Sequence, residues 1–194
     1  MSIDVNMEIF VHRLLDDNLP PNYYYHNFAH TRYVLETARE IATYENCTDS
    51  EIALISMAAL WHDSGFIHKY VDHEAESCRL ARLYLPNFGY DTWEIEAVCA
   101  IIHATIMPQE PRNKLGEIIA DADLAYLGTP EAFKIADMLY REIHFLNPSL
   151  TKEAWRLQQI SFIKAHDYFT AWGAEYREAG KQAYLEGLEE KENK

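Results

Sequence analysis

The sequence predicts an all-α fold, and three observations carry that reading. Apolar residues recur at helical spacing along nearly the whole chain. No segment sustains period-two alternation. Seven Gly and seven Pro among 194 residues are too few for a chain built from many tight β-turns. A hydrophobic content of 48% is enough to build a core, so disorder is excluded for most of the chain. No repeat or linker divides it. One compact domain of about eight or nine helices is expected over residues 1–194, with its core across roughly 20–185 and a frayed charged tail at 189–194.

Each element has its own local cause. Ile3, Met7, Phe10, Val11 and Leu14 trace one face of a first helix, which ends near residue 15 ahead of the break at Pro20-Pro21. Asn27 caps a second helix, faced by Val34, Leu35, Ala38, Ile41 and Ala42. Thr48-Asp49-Ser50-Glu51 is a capping box, and the run after it, 52–61, is apolar on almost every side. That pattern marks the central buried helix. Gly65 ends this helix or begins the loop beyond it. A fourth helix over about 73–85 runs into Pro86, and Asp91-Thr92-Trp93-Glu94 opens a fifth, through about 104. Pro108 and Pro111 interrupt the chain before a sixth helix, about 114–127, closed by Gly128. Thr129-Pro130 supplies a cap and a first-turn proline for a seventh, which ends before Pro148. Two last helices span about 151–168 and 170–188.

Charge and cysteine content narrow the function classes. With 17 Lys+Arg against 31 Asp+Glu the net charge is −14. This excludes general binding to a nucleic-acid duplex, where a basic surface supplies the affinity, and docking on anionic membranes. No run approaches the roughly 18 apolar residues of a membrane span. Met1-Ser2-Ile3-Asp4 lacks the basic-then-apolar order of a signal peptide. Cys47, Cys78 and Cys99 are three, far apart and without a Cys-x-x-Cys pair. They fit reduced thiols in a cytoplasmic protein rather than a disulfide framework or a cysteine zinc site.

The chemistry concentrates in a few polar residues set within apolar helices. His26 and His30 are four apart and share a face if helical. His62-Asp63 ends the most buried helix, and Asp121 and Asp123 interrupt the apolar run Ile118-Ile119-Ala120-Asp121-Ala122-Asp123-Leu124. Carboxylates in such runs are costly unless paired or bound to a cation. A divalent metal held by two imidazoles and two carboxylates accounts for all of them. A His-Asp dipeptide alone carries little information: His166-Asp167 is a second copy, at the end of a late amphipathic helix, and reads as structural. The order carries the weight: His, then His-Asp on a buried helix, then Asp on another.

These stretches, Tyr25-His26-Asn27-Phe28-Ala29-His30-Thr31, Ala59-Leu60-Trp61-His62-Asp63-Ser64-Gly65-Phe66 and Asp121-Ala122-Asp123-Leu124, resemble the HD-domain superfamily of metal-dependent phosphohydrolases. A bacterial subgroup of stand-alone HD proteins is similar further, around His73-Glu74, Met107-Pro108-Gln109, Trp155 and Tyr168-Phe169-Thr170. Ala125 and Ile106 depart from that subgroup, where an acidic residue and a lysine are usual.

The resemblance implies a helical HD bundle and a ligand set of His30, His62, Asp63 and Asp123 around one or two divalent ions (Mg, Mn, Fe, Co, Ni or Zn). Asp121 is then a supporting or helix-capping group; by pattern alone, the two carboxylates could exchange roles. His26 resembles the proton donor of the Tyr-His-Asn motif in cyclic-nucleotide phosphodiesterases, with Asn27 orienting it. His26 and Asp63 are the catalytic candidates. His73, Glu74 and His103 are candidates for a second metal or a held water, although the first two also suit an ordinary helix start and His103 shares its helix face with Cys99. Lys69, Arg79 and Arg82, with Arg112 and Lys114, are candidate phosphate contacts, surface solubility being their plainer role.

The implied activity is hydrolysis of a phosphate ester or anhydride of a small molecule, a nucleotide foremost, by a metal-activated water. The implied partners are that phosphorylated substrate and a second copy in a homodimer. An HD-type di-iron oxygenase and a nucleotide-sensing module without turnover are the alternatives.

Overall fold

The computed structural model describes residues 5–190. Among them the chain forms α1 (Val5–Asn18), α2 (Phe28–Tyr44), α3 (Asp49–Trp61), α4 (His73–Tyr84), α5 (Thr92–Ile102), α6 (Lys114–Leu124), α7 (Ala132–Leu146), α8 (Lys152–Ala165), α9 (Ala171–Tyr176) and α10 (Glu178–Glu190), with no strand. The expected contribution of Ile3 to the first helix and the tail positions 191–194 lie outside the described residues. No described helix is long and apolar enough to cross a membrane.

The starts of the helices follow local chemistry. Asn27 accepts from the backbone N–H groups of Ala29 and His30, and both expected capping boxes, Thr48 with Glu51 and Asp91 with Glu94, are formed. Each satisfies donors that a helix start leaves unpaired. From Ile55 to Trp61 every residue of α3 is buried. α2 packs on α3 and α6, α3 on α5, and α4 on α5. Their apolar faces meet in one cluster around Trp61, Leu60, Ile41 and Ile102. A second cluster forms from α7, α8, α10 and the turn after α6, with Tyr126, Ile163, Tyr184 and Leu188 at its centre. The two meet at the end of α6, where Ala122 belongs to the first and Leu124 to the second. Asp123 lies on that seam.

Several boundaries differ from the sequence pattern. α6 stops at Leu124 and continues as a 3-10 turn, Ala125–Gly128. The Thr129 hydroxyl donates back to the Tyr126 carbonyl instead of capping α7, which starts later, at Ala132. α8 ends at Ala165 because His166 has extended backbone, φ −90° and ψ 126°. The single helix expected over 170–188 is two, broken at Arg177. There Gly128 presses on the chain: an added Cβ would lie 2.3 Å from the Arg177 carbonyl oxygen, and one on Gly180 would lie 2.1 Å from that of Gly128. Glu189 and Glu190 are not frayed but complete α10, with Glu189 paired to Lys164 at 2.6 Å.

One close approach positions the site. After α3 the chain makes a 3-10 turn, Ser64–Ile67. Gly65 in it lies so near the start of α4 that a Cβ would sit 2.0 Å from the His73 carbonyl oxygen and 2.8 Å from the Ser77 nitrogen. The Ser77 hydroxyl accepts the Gly65 N–H at 2.8 Å and donates to the His62 carbonyl at 2.5 Å. This clamp holds His73 and Glu74 against Asp63. Gly65→Ala is therefore expected to cost roughly 3 kcal/mol or more, lowering Tm by about 6–12 °C for a chain of this size. Gly89→Ala, at φ +84° with nothing within 4 Å of the new Cβ, should cost only about 1–2 kcal/mol from backbone strain. Thermal unfolding of the two variants side by side checks the difference.

Candidate metal centre

Three elements deliver four side chains to one point. His30 stands in the first turn of α2, three residues beyond the cap Asn27. His62 and Asp63 follow the end of α3, and Asp123 is next to last in α6. The His30 Nε2 lies 3.1 Å from Asp123 Oδ1 and 3.3 Å from Asp63 Oδ2. The His62 Nε2 lies 3.2 Å from Asp63 Oδ2, 3.6 Å from Asp123 Oδ1 and 3.4 Å from the Nε2 of His30. His30, His62 and Asp63 are buried, and Asp123 opens onto a cavity.

The donor set fits a divalent cation. With metal–ligand bonds of about 2.1 Å, neighbouring ligand atoms stand roughly 3.0–3.4 Å apart in octahedral or tetrahedral geometry; four of the five separations above fall at 3.1–3.4 Å and the fifth is 3.6 Å, and His30, His62 and Asp123 form a set whose ligand atoms all lie within 4.8 Å of one another. His62 Nδ1 is 2.8 Å from the Ala59 carbonyl, to which it donates, so Nε2 is left with its lone pair facing the cluster. Asp63 Oδ2 is buried and has no hydrogen-bond partner. Burial opposes charge on His30 and His62, yet the two carboxylates outweigh it and hold both imidazoles above their ordinary value. Burial likewise works to raise Asp63 and Asp123, and the imidazoles pull both below the usual carboxylate range. The cluster as a whole favours positive charge, which the imidazoles supply when protonated and a bound metal ion would supply in place of those protons.

A second set adjoins it. Asp63 turns its other oxygen, Oδ1, to the Nε2 of His73 at 3.5 Å, and that nitrogen lies 3.6 Å from Glu74 Oε1. Asp63 thus stands between two ligand groups. The ring of Phe66 stacks on His73 and on His26, with centroids 3.8 and 4.0 Å away. His26 is also fixed from its other side: its Nδ1 is hydrogen-bonded to the buried Glu142 of α7, whose second oxygen accepts the N–H groups of Tyr25 and His26 at 2.9 and 3.1 Å. Burial works to raise the Glu142 pKa, but its bonds to His26 and these amides lower it, so it is ionised.

His26, Asp63, His73, Glu74 and Asp123 line one cavity of about 360 Å³. Its far wall is apolar and aromatic, from the 3-10 turn after α6, from α7 and from α8.

The other sequence candidates fall elsewhere. Asn27 caps α2 and donates to the Tyr24 carbonyl at 2.9 Å; the orientation of His26 comes from Glu142 instead. Asp121 is fully buried and faces away from the cluster, accepting the N–H groups of Phe169 and Thr170 at 2.9 and 2.8 Å and the Thr170 hydroxyl at 2.6 Å. It is the capping carboxylate, and Asp123 is the one on the cluster. His103 is exposed and turns its Nε2 toward the Cys78 Sγ at 3.8 Å, not to the cavity. Arg79 pairs with Glu76 at 2.7 Å and Arg82 with Glu96 at 2.6 Å. Lys69 and Arg112 are exposed, and Lys114 donates to the Glu45 carbonyl. None of these five cations lines the cavity. At the second His-Asp, the His166 ring nitrogen Nδ1 meets the buried Lys181 at 3.3 Å, and burial with that ammonium lowers the His166 pKa to about 4. That role is structural, as the sequence implied.

A model of the HD domain matches residues 27–125, just over half of the chain. The protein belongs to the HD-domain family. A crystal structure of a predicted HD superfamily hydrolase from an uncultured Thermotogales bacterium aligns with this HD protein at a TM-score of 0.54 and 25% identity, covering 82% of this chain and 87% of the other. No curated protein matches it.

Sequence reasoning missed Glu142, Phe66 and Ser77. For Glu142 a signal was present: Ile135, Met138 and Leu139 place it at helical spacing on the packed face of α7. For the metal-binding cluster, the expected outcome is that Mn²⁺ or Zn²⁺ at about 100 times Kd adds roughly 2.7 kcal/mol and raises Tm by about 5–10 °C. Asp123→Asn and His62→Ala should abolish the shift and the metal found by elemental analysis. Asp121→Asn should lower Tm but keep the metal.

Proposed function

We propose that this HD protein is a metal-dependent phosphohydrolase, acting on a phosphate ester or anhydride of a small molecule. The observation that carries the reading is that two carboxylates of the metal-fitting cluster and an imidazole clamped by a buried glutamate line the same cavity. His30, His62, Asp63 and Asp123 would hold a divalent ion, which would supply a water of pKa about 7 and neutralise charge on the phosphoryl oxygens.

The protein side chains do the rest. His73 and Glu74, beside Asp63, would hold a second ion or a water. Glu142 takes the hydrogen bond of His26 Nδ1 and fixes the ring, which leaves Nε2 as the atom that passes a proton to the departing oxygen. Phe66 fixes the ring plane. The apolar wall excludes bulk water, which strengthens each of these polar interactions. His103 does not reach the cavity, which leaves an oxygenase with one extra histidine, His73, and favours hydrolysis.

The test is a metal-supplemented screen of phosphomonoesters, cyclic nucleotides and nucleoside triphosphates, with His62→Ala as the control; release of phosphate or a dephosphorylated product that depends on His62 is expected. Turnover without His62, or oxygen consumption with a substrate-dependent iron spectrum, would sink the proposal. Glu142→Gln is expected to lower kcat by about 10²-fold or more while metal content stays at the wild-type level, measured in parallel on one preparation.

A further inference from the structure

One pair of nucleophilic side chains takes no part in the metal-fitting cluster. Cys78 on α4 and Cys99 on α5 are buried free thiols at the interface of these two helices. Cys78 Sγ lies 3.6 Å from the Cys99 carbonyl oxygen, and Cys99 Sγ lies 3.7 Å from that of Cys78. The two thiols are also hydrogen-bonded to one another. Such reciprocal contact is what a disulfide needs, since an S–S bond forms only where both side chains point at each other over a short span. Cys47 stands apart from them, against Lys114.

Two further groups flank the pair. The Nε2 of His103 stands 3.8 Å from Cys78 Sγ, and His103 is exposed, so its ring links a buried sulfur to solvent. The Arg82 guanidinium favours the thiolate form of both cysteines. The proton between the sulfurs stays with Cys78: its hydrogen bond to Cys99, and then burial, hold the Cys78 thiol above its ordinary range. The same hydrogen bond, helped by Arg82 and opposed by burial, brings Cys99 below that range. An inert core cysteine has neither a donor thiol at its side nor a basic ring reaching water.

We infer that Cys78 and Cys99 are a reversible modification site: hydrogen peroxide joins them in a disulfide, with Cys99 as the attacking sulfur, Cys78 as the resolving one and His103 as the base beside it. The Cys99 thiolate forms an S–O bond to one peroxide oxygen, the O–O bond breaks, and the hydroxide that leaves is protonated to water. Cys99 is then a sulfenic acid. Cys78 attacks its sulfur and passes its own proton to His103 Nε2. The S–O bond breaks, the electron pair leaves with the oxygen, and that proton completes a second water. Two thiols have lost two electrons and two protons, and one peroxide has become two waters.

The bond also acts on the neighbouring fold. An S–S length of about 2.05 Å is shorter than any non-bonded contact between sulfurs, so closing it draws α4 toward α5. Cys78 is next to Ser77, whose hydroxyl accepts the Gly65 N–H and donates to the His62 carbonyl. Oxidation therefore loosens the clamp that holds the start of α4 against Asp63.

The experiment treats the Cys47→Ser protein, which retains only this pair of thiols, with millimolar hydrogen peroxide. The expected result is loss of two hydrogens by mass, a cross-linked Cys78–Cys99 peptide, and recovery of both thiols with dithiothreitol. Peptide mapping of the wild-type chain in parallel gives the same reading should Cys47→Ser prove unstable. His103→Gln, at an exposed position, should form the same disulfide about tenfold more slowly. By amide hydrogen exchange, the Gly65 N–H should exchange about tenfold faster in the oxidised protein and return to its first rate on reduction. Unreacted thiols, sulfinic acid without a cross-link, or disulfides only between molecules overturns the site. An unchanged rate in His103→Gln overturns the role of the histidine, and an unchanged Gly65 amide overturns the coupling to α4.

Discussion

Two carboxylates and two imidazoles are buried together on the seam between two apolar clusters, and the fold is arranged to make that tolerable. An unpaired charge in such a place costs several kcal/mol, so each group is tied down from behind. His30 is held in the first turn of a capped helix, and His62 gives its spare N–H to the Ala59 carbonyl. Ser77 grips the backbone on both sides of Asp63. What these ties leave unsatisfied points inward: two imidazole nitrogens 3.4 Å apart and a carboxylate oxygen without a hydrogen-bond partner. The fold has gathered an electrostatic liability into one donor set that could hold a cation.

The same condition explains what could be read from the sequence. Helix starts were legible because caps act over three or four residues, and Asn27, Thr48 and Asp91 each do what their type predicts. The breaks at His166 and Arg177 were not, because one follows from docking Asp121 on the 169–170 backbone and the other lies where Gly128 crowds a strand of chain far away in sequence. The cluster was legible for a complementary reason. Ionisable residues in an apolar run contradict their surroundings locally, whatever the tertiary structure. Pattern alone did not separate Asp121 from Asp123, since the partners that distinguish them lie 48 residues away for one and on α2 and just past the end of α3 for the other.

Cations near the site in sequence turned out to serve other ends. Arg79 and Arg82 sit on the solvent face of α4 with acidic partners, so the cluster is not shielded by neighbouring basic side chains. The acidity of the chain, which at first only excludes polyanionic partners, extends into the cavity, whose lining carries Asp63, Glu74 and Asp123 and, among the described residues, no Lys or Arg.

The reach of Glu142 has an evolutionary consequence. The His-Asp cluster is complete by the end of α6, whereas the group that orients His26 and much of the apolar wall of the cavity come from α7 and α8. Inheritance can therefore act on the two halves separately. A lineage could retain the reactive half unaltered and exchange the later helices, acquiring a new diet without relearning its chemistry. Among such relatives, kinship in the first six helices would foretell the bond that is cut, and only the later helices would foretell whose bond it is.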